Sequence, residues 1–95
     1  MKITIGDYLG IILKKKRISQ SEFARMINNS GLAHIQIQNI NNCIKGQVPI
    51  GKERARVFEI VLDLPEGTLT NMATSSNKNA IKQVNARAKE LNLIK

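Results

Sequence analysis

The sequence predicts an all-α fold: a five-helix domain with an additional C-terminal helix. Three observations carry that expectation. Apolar residues recur at helical spacing along most of the chain, and helix-start and helix-stop residues punctuate them at short intervals. The 95 residues leave room for one core of useful size. Hydrophobic residues make up 42% of the chain, ordinary for a folded protein, but aromatics make up only 3%: Tyr8, Phe23 and Phe58. Fourteen isoleucines must therefore supply most of the core.

The first helix is expected to start at Thr4, where Thr4 and Asp7 resemble a capping box. Ile5, Tyr8, Leu9, Ile12 and Leu13 follow at helical spacing, and Lys14-Lys15-Lys16-Arg17 complements the negative end of the helix. Its boundary falls near Lys16 or Arg17, with Ile18 as an apolar plug. Ser19-Gln20-Ser21-Glu22 is an S-x-x-E box that opens a second helix over 19–28, with Phe23, Met26 and Ile27 as its buried stripe. Asn28-Asn29-Ser30-Gly31 stops it, because Asn and Gly tolerate the left-handed conformation.

The third helix ends at Gly46 and starts anywhere from Leu32 to Gln36. Ile37, Ile40, Cys43 and Ile44 form its apolar face; a short strand over 34–38 is the competing reading, because Ile35 and Ile37 alternate with polar residues. A fourth helix is expected over 51–62, with Ala55, Phe58, Val61 and Leu62 facing in. The segment 64–69 reads as a short fifth helical turn, with Pro65 in its first turn. The expected organisation is a domain over 1–70, a polar, breaker-rich linker over 71–79, and an amphipathic C-terminal helix within 80–95. A lone helix of that length is marginal in water. It docks on the core, pairs with a second chain, or stays partly unfolded.

Composition narrows the function. The net charge of +8 favours a polyanionic partner. No apolar run is long enough to span a bilayer, and Ile11-Ile12-Leu13 is too short for a signal-peptide core, so the expected location is the cytoplasm, without membrane attachment. Cys43 and His34 are the sole residues of their types, which argues against an internal disulfide, a metal site or a His-based catalytic pair. The seven acids are scattered, with no nucleophile–base pair, so no enzyme activity, catalytic residue or cofactor is expected.

One constellation stands out. A capped helix is followed by a Gly-containing turn and then by a segment whose outward residues are nearly all amides. With Ile37, Ile40, Cys43 and Ile44 buried, the outward residues are Gln38, Asn39, Asn41, Asn42 and Lys45, with Gln36 preceding them. An amide offers a donor and an acceptor side by side and can bond two adjacent atoms of one base edge, notably N6 and N7 of adenine. Arg25, Lys45, Lys52, Arg54 and Arg56 are expected to flank the segment.

At these residues the chain resembles a known family. Ile18-Ser19-Gln20-Ser21-Glu22-Phe23-Ala24-Arg25-Met26-Ile27 is similar to the second helix of phage-repressor-like helix-turn-helix proteins of the Cro/CI or Xre type. Ile40-Asn41-Asn42-Cys43-Ile44-Lys45-Gly46 resembles the end of their recognition helix, and the segments 50–56 and 64–69 resemble helices four and five. The resemblance covers residues 4–70 and lies in the ordered set more than in any one motif.

It implies a lambda-repressor-like DNA-binding domain that occupies a palindromic operator as a homodimer, one recognition helix per major groove. The implied base-contacting residues are Gln36, Ile37, Gln38, Asn39, Asn41 and Asn42. The resemblance implies a phosphate contact for Gln20, and Arg25, Lys45, Lys52 and Arg54 of the charged flanks are the further expected phosphate-contacting residues. A helix N-terminus favours an anion near Gln20 independently of family. The implied role is a transcriptional regulator, chiefly a repressor, in a bacterial or phage-infected cell. The alternative is an antitoxin-type protein that autoregulates through the same domain and holds a partner protein with residues 77–95.

The chain departs from the family pattern between Ala24 and Gly46, where it is longer than the usual member. The extra length must sit within 28–36. If the turn is long, His34 and Gln36 approach the DNA backbone; if the recognition helix begins earlier, they read bases. Ile37 then either meets a thymine methyl or belongs to the core.

Overall fold

A computed structural model describes residues 3–73 and 79–94. The middle of the expected linker, 74–78, lies outside the described residues, as do the terminal residues 1–2 and 95. The fold is all-α. Five helices follow one another: α1 (Ile5–Lys16), α2 (Gln20–Ser30), α3 (Ile37–Ile44), α4 (Lys52–Val61) and α5 (Ala80–Glu90), with no strand element among the described residues.

Local chemistry explains the boundaries. The Thr4 hydroxyl accepts from the Asp7 N–H at 3.0 Å and the Asp7 carboxylate accepts from the Thr4 N–H at 3.3 Å, so the reciprocal box forms. α1 ends because Arg17 turns left-handed (φ 58°). At α2 only half of the expected box forms: the Ser19 hydroxyl accepts from the Glu22 N–H at 3.1 Å, and Ser19 also pairs with the Ser21 hydroxyl. Gly31 (φ 82°) ends α2 two residues later than expected, since Asn28 and Asn29 stay helical.

The core is aliphatic around one aromatic pair. Phe23 of α2 and Phe58 of α4 lie 5.1 Å apart between ring centroids. Leu9, Ile27, Ile35, Ile40, Cys43, Ile50, Ala55, Leu62 and Leu69 close round them. α3 packs on α1 and α2, α4 packs on α2, and α5 packs on α4. The α1–α3 approach depends on Gly6. A Cβ there would collide with the carbonyl of Cys43 and lie 2.8 Å from that of Ile44.

The expected helical turn over 64–69 is not a helix; residues 66–72 form successive turns. The cause lies in Glu59, which is completely buried. Its Oε2 accepts from the N–H groups of Gly67 (3.2 Å), Leu69 (2.6 Å) and Thr70 (2.8 Å), and from the Thr70 hydroxyl (3.2 Å). Donors that would continue a helical ladder are thus taken by a carboxylate, and Gly67 at φ 105° lies outside the helical region. Arg56 completes this polar centre, donating from NH1 to Glu59 Oε1 at 3.2 Å and from Nε to Asn85 Oδ1 at 2.6 Å.

Asn85 in turn donates to Glu66, so one network joins α4, the turn segment and α5. Val84 and Ala88 of α5 are buried, and Leu91 reaches Gly31 at the end of α2. Among the described residues, no helix is long and apolar enough to cross a membrane.

Candidate nucleic-acid interface

The segment between α2 and α3 positions the candidate site. Residues 33–36 take up no regular secondary structure, Gln36 is extended (φ −99°, ψ 156°), and α3 begins only at Ile37, so the extra length forms a long connection rather than an early helix start, and no strand. Asn28 holds that connection: its Nδ2 donates to the Ile35 carbonyl at 3.0 Å, and its Oδ1 accepts from the Ile35 N–H at 2.7 Å. Both bonds mimic a backbone pair, and they let Ile35 plug the core while His34 and Gln36 stay exposed on either side. In the sequence Asn28 carries the signal of a helix stop alone. Its position seven residues before an apolar plug carried no recognisable spacing.

α3 is an amphipathic helix of eight residues. Ile40 and Cys43 face the core, and Ile44 is half-buried against α1. Ile37, expected with them on the buried face, is 50% exposed. It occupies the first turn of α3, where the core has already been filled by Ile35. Gln36, Gln38 and Asn39 are exposed, while Asn41 and Asn42 are half-buried.

Two amide pairs order this surface. Gln38 Nε2 donates to Asn42 Oδ1 at 3.2 Å, one helical turn on. Asn41 Nδ2 donates to Gln20 Oε1 at 3.1 Å, tying α3 to the start of α2. Gln20 thus keeps its own N–H donors for another acceptor, beside the N-terminus of α2. Ser21, Arg25, Gln36 and Ile37 border a groove of about 430 Å³ between α2 and the start of α3.

The expected cationic flank divides into three classes. Arg25 and Lys45 are exposed and make no side-chain hydrogen bond or ion pair among the described residues. Lys52 and Arg54 are half-buried: Lys52 Nζ donates to the Thr70 carbonyl at 3.1 Å, and Arg54 NH1 to the Cys43 sulfur at 3.7 Å. Arg56 does not belong to the flank, since it is buried and committed to Glu59, Asn85 and Glu66. Arg56 lies one helical turn before Glu59 on the same side of α4, and its burial follows from that carboxylate and from Asn85 of α5, a partner distant in sequence.

The structure thus joins Gln38 to Asn42 and Asn41 to Gln20, and sets Arg25, Gln36 and Ile37 on one groove, while Asn39, two residues after Ile37 and so nearly opposite it on the helix, is exposed but joins none of these groups. Lys52 and Arg54 stand at the start of α4, engaged with other parts of the chain. Among the described residues, no group of three His, Cys, Asp or Glu side chains could hold a metal ion. Comparison with protein-family models, curated proteins and solved structures finds no match to this chain.

Proposed function

We propose that this protein is a sequence-specific double-stranded-DNA-binding transcriptional regulator, with a lambda-repressor-like helix-turn-helix formed by α2, the long turn and α3. It binds as a homodimer, inserts α3 into the major groove of each half-site, and represses by occupying the operator. The observation that carries this reading is the outer side of α3. Its amides and Ile37 are presented away from the core, on a helix fixed from behind by α1 and from the side by the Asn41–Gln20 bond.

Uncharged amides enter a groove without attracting phosphates indiscriminately, while base edges supply their bonds. Arg25 and Lys45 are free to contact phosphates on the flanks, and the net charge of +8 draws the protein toward DNA. The packing of α5 on α4 of its own chain favours the regulator over a protein whose tail folds on a partner.

The test is selection from random duplex DNA with the full chain, followed by sequencing of the enriched pool. The expected result is a palindromic motif with half-sites about 34 Å, one helical turn, apart. A pool without an enriched motif contradicts the proposal.

A further inference from the structure

We infer that the half-site read by α3 is built from A·T pairs, with Gln38 and Asn42 as its adenine- and thymine-edge readers and Ile37 against a thymine methyl. The inference rests on the DNA-binding reading and adds what that reading leaves open, the identity of the bases.

From Gln36 to Ile44 the chain carries no cation and no carboxylate. Guanine presents two acceptors, O6 and N7, and is best bonded by Arg or Lys; cytosine presents the N4 amine, best bonded by a carboxylate. α3 offers neither partner between its ends: Lys45 is its C-cap, Arg25 lies on α2, and Arg54 meets α3 on its inner side, at the buried Cys43 sulfur (3.7 Å). Adenine presents an acceptor beside a donor, which is the pattern an amide matches.

The Gln38–Asn42 bond sharpens this match. With Gln38 Nε2 donating to Asn42 Oδ1, Gln38 retains its carbonyl and one N–H, and Asn42 retains both N–H groups. The Gln38 amide fits adenine N6 and N7, and the Asn42 amine fits the O4 of a thymine. Their bonded amide groups lie 3.2 Å apart, close to one base-pair step of about 3.4 Å, so the pair addresses neighbouring base pairs rather than one. Asn41 is held by Gln20 and serves chiefly to position α3. Ile37 is the exposed apolar side chain of the first turn, and the C5-methyl of thymine is the apolar feature of the major-groove edges that it matches.

The experiment uses duplexes enriched from a random pool by the full chain, with affinity measured by fluorescence anisotropy at fixed salt. A·T pairs should occupy the central major-groove positions of each half-site. Replacing one that meets Gln38 by G·C should weaken binding roughly 5- to 150-fold. Replacing the thymine at the Ile37 position by deoxyuridine removes only a methyl group; it should cost the wild type about fourfold and the Ile37→Ala variant nothing. A motif with G·C pairs at those positions overturns the inference while leaving the DNA-binding reading in place. Equal deoxyuridine sensitivity in wild type and Ile37→Ala overturns the role of Ile37. A pool with no enriched motif removes the reading on which the inference stands.

Discussion

Two polar regions of this molecule use similar groups to opposite ends. Around Glu59 the bonds are directed inward: one carboxylate takes three backbone N–H groups and a hydroxyl on one oxygen and an arginine on the other. On the outer side of α3, the amides bond one another in part and keep several donors and acceptors open to solvent. The first region specifies a fold, because a buried charge must be fully satisfied. The second is tied by two amide bonds without being fully satisfied, which leaves groups for reading another molecule. Substitutions should separate the two regions cleanly, the first changing stability and the second changing binding.

The largest effect is expected at Glu59. Glu59→Ala strips Arg56 of its buried partner and leaves the turn donors unmatched, and should cost about 3–5 kcal/mol in urea unfolding. A loss below 1 kcal/mol would mean that the turn segment contributes little to the folded state. Gly6→Ala comes next. The new methyl meets the carbonyls of Cys43 and Ile44, so α1 and α3 must separate, at about 1–3 kcal/mol. An unchanged unfolding midpoint would show that the two helices can slide apart freely.

Asn28→Ala should lower stability by about 1–2 kcal/mol, because the Ile35 N–H and carbonyl lose their partners, and it should weaken DNA binding further by loosening the turn that sets α3. Stability lost without any change in binding would separate the turn from the reading surface. The smallest effects concern the flanks. Arg25→Ala and Lys45→Ala should each reduce the slope of log affinity against log salt by about 0.9 on any DNA. Lys52→Ala should change it less, since Lys52 already donates to Thr70. A larger change for Lys52 than for Arg25 would reverse that assignment.

Most of the helical plan was legible in the sequence because caps and apolar spacing act locally. Thr4, Ser19, Gly31 and Gly46 mark boundaries through bonds or dihedral angles confined to a few residues. What was not legible depends on distant partners. The segment 64–69 has the composition of a helical turn, yet Glu59, eight to eleven residues upstream of its bonded partners, captures the N–H groups. Ile37 fits the helical stripe, yet Ile35 fills the core first, because the Asn28 clamp fixes the turn's register. Arg56 reads as one more surface cation until α5 brings Asn85 against it. The amide surface of α3 was visible from spacing alone; its internal pairing was not.

The most direct measurement of the central claim compares the wild type with Gln38→Ala and Asn42→Ala on the enriched duplex and on random duplex at the same salt concentration. Each substitution should cost about 1–3 kcal/mol on the enriched site and leave affinity for random DNA nearly unchanged. Equal losses on both DNAs, with folding intact, would contradict the claim that the outer side of α3 reads sequence.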